Sequence, residues 1–225
     1  MATILVTGGC GYIGSHTVLE LLNRDYEVIV VDNFSNSSYE SLRRVQKITG
    51  KEVTFYEENI ANEEGMDKIF SAHKVDAVIH FAAFKAVGES VKLPLKYYEN
   101  NISGTVGLLK IMQKHNVKKI IFSSSATVYG DPERLPLDES CRLSTTNPYG
   151  STKLMMEMIM QDLHKADNEW NIILLRYFTH EVSEHSCVGN IYKLDSGVHI
   201  FKGKPNVNYG NTLSNNRQAG RIRAR

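Results

Sequence analysis

The chain has 225 residues, a formal net charge of +1 and 42% hydrophobic residues. These values are ordinary for a soluble globular protein and exclude collagen-like and low-complexity chains. The balanced charge gives no broad basic surface, so nucleic acid is not an expected partner. No apolar stretch approaches the ~18 residues of a membrane helix, so a membrane is not an expected partner either.

The amino terminus has no basic segment followed by an apolar one and leads straight into strand-like sequence. We therefore expect no secretory signal and a cytoplasmic location. The cysteines, Cys10, Cys141 and Cys187, are few and odd in number, which is typical of reduced thiols. The length predicts one full domain with a remainder.

Short apolar runs alternate with helical stretches through residues 1–178. The strand-like runs cover residues 4–6, 28–31, 53–56, 77–81, 119–122 and 172–175. Helices are predicted over residues 14–23, 39–48, 63–72, 95–115 and 149–165. Several runs are continuously apolar and β-branched, as in strands that are buried on both faces. The order predicts an α/β fold, a doubly wound parallel sheet of the Rossmann type.

A glycine-rich turn links the first predicted strand to the first predicted helix. Gly8, Gly11 and Gly14 have the spacing G-x-x-G-x-x-G. Glycines let the backbone approach a ligand and a helix N-terminus favours negative charge, so the turn predicts a site for the pyrophosphate of a dinucleotide. A purely structural turn is the alternative.

Asp32 ends the second predicted strand. A carboxylate there can accept hydrogen bonds from the ribose hydroxyls of adenosine and would repel a 2′-phosphate. This position favours NAD over NADP. The alternative is an ordinary exposed aspartate at a strand end.

Tyr149 and Lys153 begin the last of these helices and share one of its faces, because they are four residues apart. One ammonium ~4 Å from a phenol supplies ~4 kcal/mol at an effective dielectric of about 20. That energy lowers the tyrosine pKa by about three units, from its usual value of about 10. The pair therefore predicts a phenolate base.

A run of serines, residues 123–125, ends the fifth predicted strand. Open α/β sheets place ligands at this end of their strands, and a serine hydroxyl there can orient a proton between substrate and tyrosine. The alternative is a polar exit from strand to loop.

In combination, the glycine turn, Asp32, residues 123–130, Tyr149 and Lys153 resemble the extended short-chain dehydrogenase/reductase family. Segments at residues 7–16, 80–90, 97–105 and 174–178 are similar to its UDP-glucose 4-epimerase branch. The resemblance covers residues 1–178. It implies a homodimeric, NAD-dependent isomerase of galactose metabolism that interconverts UDP-glucose and UDP-galactose.

Relatives that dehydrate a nucleotide sugar carry an acidic residue before Val-Tyr-Gly, where this chain has Ser125, Ala126 and Thr127. The resemblance therefore favours an epimerase over a dehydratase. A related nucleotide-sugar oxidoreductase and a catalytically inactive NAD-binding module stay open as alternatives.

The resemblance also implies roles for individual residues. Tyr149 takes the proton of the sugar 4-hydroxyl, Ser125 orients that hydroxyl, and Lys153 holds the nicotinamide ribose and lowers the pKa of Tyr149. Lys85, Ser125 and Tyr149 are expected to contact the substrate. The residues expected to contact NAD are Gly8, Gly11, Tyr12, Ile13, Gly14, Asp32, Asn33, Phe34, Ser35, Asn36, Ser37, Asn59, Ile60, Phe81, Ala82, Ala83, Phe84, Lys85, Asn100, Ser125, Tyr149, Lys153, Tyr177 and Phe178.

Two departures from the family pattern stand out. Asn59 replaces an aspartate beside the adenine, which predicts weaker cofactor binding. After Phe178 the family continues with Asn-Pro, whereas this chain continues with Thr179 and His180. We therefore expect an NAD-binding domain at residues 1–178 and a divergent, truncated or aberrant segment at 179–225 in place of the family's second lobe.

The segment after residue 178 gives two smaller predictions. A short strand is predicted at residues 198–201. His180, His185 and Cys187 lack a fourth ligand at a supporting spacing, so no metal site is predicted.

Overall fold

One parallel sheet forms the centre of the computed structural model, which describes residues 1–177 and 198–202. Its strands are β1 (Thr3–Thr7), β2 (Glu27–Asp32), β3 (Thr54–Glu57), β4 (Ala77–His80), β5 (Lys119–Ser125), β6 (Asn171–Tyr177) and β7 (Val198–Lys202). Their order across the sheet is β3-β2-β1-β4-β5-β6-β7, and all neighbours are parallel. The predicted doubly wound α/β fold is confirmed, as is the short strand near residue 200.

Helices cover both faces of the sheet. They are α1 (Tyr12–Asn23), α2 (Glu40–Thr49), α3 (Glu63–Ala72), α4 (Val87–Lys92), α5 (Pro94–Tyr98), α6 (Gly104–Lys114) and α7 (Pro148–Ala166). Successive side chains of β1 enter two different buried clusters, Leu5 on one face and Ile4 with Val6 on the other. The strands therefore read as continuous apolar runs because both of their faces are covered.

The helix predicted over residues 95–115 is interrupted. A π-helical turn at Glu99–Ser103 separates α5 from α6. Within that turn, the buried amide of Asn101 hydrogen-bonds the backbone of Phe84 and the hydroxyl of Thr152. These contacts with distant segments override the regular helical period. The short α4 was not predicted, because its six residues carry no sustained apolar repeat.

The strand order reverses between β1 and β4, which lie side by side in the middle of the sheet. Thr7 pairs with Val31 of β2 on one side and with His80 of β4 on the other. Loops that leave neighbouring strands in opposite directions open a crevice at the carboxyl ends of a parallel sheet. Across residues 1–177 and 198–202, no helix combines the length and the apolar character needed to cross a bilayer.

Candidate active site

An open cavity occupies the crevice above β1 and β4. One wall comes from the glycine turn and the ends of β2 and β3, and the other from the segments after β4 and β5 and the start of α7. The predicted site residues that line it are Gly8, Gly11, Tyr12, Ile13, Gly14, Asp32, Asn33, Ser35, Asn36, Asn59, Ile60, Phe81, Ala82, Ala83, Phe84, Lys85, Asn100, Ser125, Tyr149, Lys153 and Tyr177.

Phe34 and Ser37 were predicted to contact the ligand, but neither lines the cavity. The ring of Phe34 stacks on Phe55, with 5.2 Å between centroids, because that apolar ring packs against the core. The hydroxyl of Ser37 donates to the Asp32 carboxylate at 2.7 Å. Both residues support the wall from behind. Phe178 lies outside the described residues.

The cavity also has lining residues that were not assigned individually from the sequence, although Ser123 and Ser124 belong to the predicted serine run. They are Val31, Glu58, Val87, Ser123, Ser124, Ala126 and Thr127. Ser123 and Ser124 belong to the same polar strand end as Ser125, and Glu58 precedes Asn59. The carboxyl end of a strand, the signal already used for residues 123–125, also indicates Val31, Glu58, Ala126 and Thr127.

The glycine turn brings backbone into the cavity. Gly8 has a φ of 69°, a conformation that favours glycine. A Cβ on Gly14 would overlap the carbonyl oxygen of Gly8, so this position has no space for a side chain. Helix α1 starts after Gly11, which offers no capping side chain, and its first turn has no acidic residue. The positive end of the helix dipole therefore faces the cavity, an arrangement that suits a phosphate.

Asp32 fastens the turn to the loop that follows β2. Its Oδ2 accepts from the backbone N–H of Cys10 at 2.9 Å, and its Oδ1 accepts from the N–H of Phe34 at 3.0 Å and from Ser37. Burial, and secondly the Asp32 charge, raise the pKa of the Cys10 thiol to about 12. Cys10 is therefore a neutral packing residue, and Asp32 has a structural role as well as a place in the cavity wall.

Helix α7 presents Tyr149 and Lys153 to the end of β5. The helix begins at Pro148, and the side-chain oxygen of Asn147 caps it by accepting from the N–H of Gly150 at 2.8 Å. The ammonium of Lys153 donates to the carbonyl oxygen of Ser123 at 2.7 Å and lies 5.9 Å from the centroid of the Tyr149 ring.

The charge relation between these two residues differs from the sequence expectation. Burial raises the pKa of Tyr149, and the hydrogen bond with Ser125 acts in the opposite direction. Burial also lowers the pKa of Lys153 to about 7. Lys153 is turned toward Ser123, and the groups that shift the pKa of Tyr149 are its buried surroundings and Ser125.

A neutral histidine lies buried at the end of β4, next to the cavity residue Phe81. His80 is buried, and burial, with the nearby Lys153 charge second, lowers its pKa to about 3. The Thr105 hydroxyl donates to the carbonyl of Asn101 at 2.6 Å, so its oxygen accepts from Nε2–H of His80 at 2.9 Å. Nδ1 must then accept from the Thr7 hydroxyl at 2.6 Å. The hydrogen bonds fix one uncharged tautomer of His80.

Comparison with known proteins agrees with this geometry. A family sequence model described as GDP-mannose 4,6 dehydratase matches residues 5–222. A UDP-glucose 4-epimerase of Bacillus subtilis is 62% identical over 175 residues, which are 78% of this chain and 52% of that protein. The UDP-glucose 4-epimerase of Dictyostelium discoideum is 61% identical over 175 residues, 78% of this chain and 51% of that protein. The chain thus spans about half the length of the curated relatives it matches.

Solved structures give the same result. The UDP-glucose 4-epimerase from Bifidobacterium longum, in complex with NAD+ and UDP, superposes with a TM-score of 0.77 at 56% identity. The superposition covers 78% of this chain and 53% of that one.

Proposed function

The chain belongs to the family described as GDP-mannose 4,6 dehydratase, and from this premise we propose that it binds NAD and catalyses the 4-epimerisation of UDP-glucose and UDP-galactose. The observation that carries the proposal is the meeting of Tyr149, Ser125 and Lys153 with a phosphate-binding glycine turn along a single cavity. Two relatives that are 62% and 61% identical to this chain over 175 residues are UDP-glucose 4-epimerases.

The residues of the cavity fit a dinucleotide. The turn at Gly8 and Gly14 would hold the pyrophosphate, Asp32 the adenosine ribose and Lys153 the nicotinamide ribose. When bound, NAD supplies the hydride acceptor and donor for the sugar C4 and, in its oxidised form, a positive charge beside the phenol. That charge favours ionisation of Tyr149, which the chain alone does not provide.

The side chains of the catalytic end then have separate tasks. The phenol oxygen of Tyr149 takes the proton from the sugar 4-hydroxyl, which the Ser125 hydroxyl orients. Lys153 is held by Ser123 and keeps its remaining N–H groups for the ribose. Lys85 lines the same wall, in the segment after β4, where its ammonium suits an anionic substrate. The buried His80, whose pKa is lowered to about 3, is neutral and adds no competing charge near Lys153.

The carboxylates of the cavity favour epimerisation over dehydration. Of the described lining residues, Asp32 and Glu58 are the acidic ones, and they stand at the ends of β2 and β3. Strand β5, beside Tyr149, is three strand positions from β2, about 14 Å at the usual spacing. Neither carboxylate is therefore placed to assist the loss of water from a sugar held at Tyr149 and Ser125.

We further propose that residues 1–178 form the NAD-binding domain, that 179–225 are a divergent C-terminal tail from which β7 joins the same sheet, and that the protein is a cytoplasmic homodimer. Leu95 on α5 and Met155 and Met158 on α7 are 80%, 42% and 57% exposed on helices that contact each other. An apolar patch of this kind is typical of a subunit contact. Leu95→Glu should shift the sedimentation coefficient to that of a monomer.

The free thiols Cys10 and Cys141 suit a reducing compartment.

Calorimetric titration tests the proposed function, first with NAD and then with UDP, followed by proton NMR of UDP-galactose with the NAD-loaded chain. We expect both ligands to bind and UDP-glucose to accumulate. Binding of NAD without UDP would replace the epimerase with the alternative of an NAD-binding module, which the half-length match supports. A folded chain that binds neither ligand would contradict both.

Asp32→Ala is expected to weaken NAD binding at least about tenfold, because hydrogen bonds from ribose hydroxyls to a charged acceptor are lost. Ser37→Ala is the matched control. It removes one bond to the same carboxylate but leaves that carboxylate in the cavity wall, so affinity should change by less than about threefold. Calorimetry measures both affinities, and an unchanged value for Asp32→Ala would refute the ribose assignment.

A further inference from the structure

One face of α7 carries a third ionisable residue, one helical turn beyond Lys153. Tyr149, Lys153 and Glu157 follow one another at intervals of four residues and so share that face. Each of them hydrogen-bonds one serine at the end of β5: Tyr149 bonds Ser125, Lys153 bonds Ser123 and Glu157 bonds Ser124. The catalytic helix is thus joined to the strand at three successive turns.

Glu157 carries its charge entirely inside the protein. It is fully buried, and Arg176 of β6 binds it bidentately, with Nε 3.0 Å from Oε1 and Nη2 2.6 Å from Oε2. Arg176 also donates Nη1 to the hydroxyl of Tyr129 at 2.8 Å. The Ser124 hydroxyl also donates to Oε1 of Glu157, at 2.5 Å. This oxygen therefore accepts two hydrogen bonds, one from Ser124 and one from Arg176. A buried ion pair held this tightly has a fixed geometry, and removal of one partner leaves an uncompensated charge.

The groups that act on Lys153 come from several elements. Glu157 and Tyr149 face it from α7, neutral His80 from β4, and Lys85 from the segment after β4. The carbonyl of Ser123 and the ring of Phe122, 4.8 Å away, contact it from β5. Burial lowers the pKa of Lys153, Glu157 raises it, and Lys85 lowers it further. Among these described neighbours the negative charge is that of Glu157.

We propose that Glu157 is a positioning residue of the site: it holds the end of β5 against α7 through Ser124, and its charge keeps Lys153 an ammonium. Glu157 does not line the cavity, so it acts through Ser124 and Lys153 and touches no ligand. The inference rests on the proposed function only in that Lys153 is proposed to hold the nicotinamide ribose. The effect of the Glu157 charge on Lys153 needs no bound ligand.

The test is an NMR titration of the chain labelled with 13C at the lysine ε-carbons, with Lys153→Met used to assign the Lys153 signal. In the unmodified chain, the titration of the Lys153 signal should have its midpoint at a pH of about 7. Glu157→Gln removes the negative charge and leaves that of Arg176 unbalanced, so the midpoint should fall by about one pH unit or more. The ammonium predominates below its midpoint, so at pH 7 the charged fraction of Lys153 would fall from about a half to about a tenth or less.

Asp162→Asn is the matched control, because it removes a carboxylate from the same helix at an exposed ion pair with Lys165. It should leave the Lys153 midpoint unchanged. If Glu157→Gln does not fold, the double variant Glu157→Gln/Arg176→Gln avoids an unpaired buried charge and should still lower the midpoint. An unmoved midpoint in the variant that folds would overturn the inference. NAD takes no part in the measurement, so a failure to bind NAD would leave the result standing.

Discussion

Tyr149→Phe is expected to slow hydride transfer by about three orders of magnitude while NAD affinity stays within about twofold of the unmodified chain. The change removes the oxygen that takes the proton from the sugar and leaves the buried ring in place. A positioned general base contributes about 10²–10⁴ to a rate, which sets the size of the loss. Stopped-flow absorbance of reduced nicotinamide, after UDP-galactose is mixed with the NAD-loaded chain, measures a single turnover.

Tyr39→Phe makes the same chemical change outside the cavity. The Tyr39 hydroxyl is exposed and lies 3.4 Å from Gln46, so this variant should transfer hydride at the normal rate. A Tyr149→Phe protein as fast as this control would remove Tyr149 from its proposed role. Absence of transfer in an unmodified, NAD-loaded chain would argue instead for a binding module.

Gly14→Ala is expected to lower the free energy of unfolding by about 3 kcal/mol and NAD affinity by at least about a hundredfold. The new Cβ would overlap the carbonyl oxygen of Gly8 and lie 2.7 Å from the Cα of Gly9. Both neighbours are backbone atoms of the same tight turn, so the strain reaches the upper end of the usual cost of overpacking. Urea unfolding and calorimetric titration measure the two effects.

Gly88→Ala is the matched control for that prediction. Gly88 lies in α4, and no atom beyond its chain neighbours and its own helix backbone stands within 4 Å of the position that its Cβ would take. Alanine is the better helix former by about 1 kcal/mol, so stability should be equal or slightly higher and NAD affinity unchanged. A Gly14→Ala protein as stable as this control would show that the turn accommodates a side chain, against the geometry described above.

Much of the fold could be predicted from sequence because parallel strands are buried on both faces. Runs such as residues 28–31 are apolar without interruption and stand out between amphipathic helices. Strand ends in such a sheet meet at one edge, so Asp32, Ser125 and the glycine turn could be brought together from chain order alone.

Details that depend on contacts between distant segments could not be predicted. The amide of Asn101 interrupts a helix because it satisfies Phe84, a residue of another loop. Phe34 follows Asp32 and was expected to contact a ligand, whereas its half-buried ring packs against the core and stacks on Phe55. Lys153 donates a hydrogen bond to the carbonyl oxygen of Ser123 in β5. The four-residue spacing from Tyr149 gives no indication of this contact.

The reversal of strand order also has a consequence for unfolding. One wall of the cavity is built from residues before β4 and the other from residues after it, so each belongs to a different half of the sheet. A molecule bound along the cavity contacts both halves of the sheet, so neither half can unfold separately until that molecule dissociates. Its binding free energy therefore adds to the stability of the whole sheet, and the two halves should resist proteolysis as a single cooperative unit.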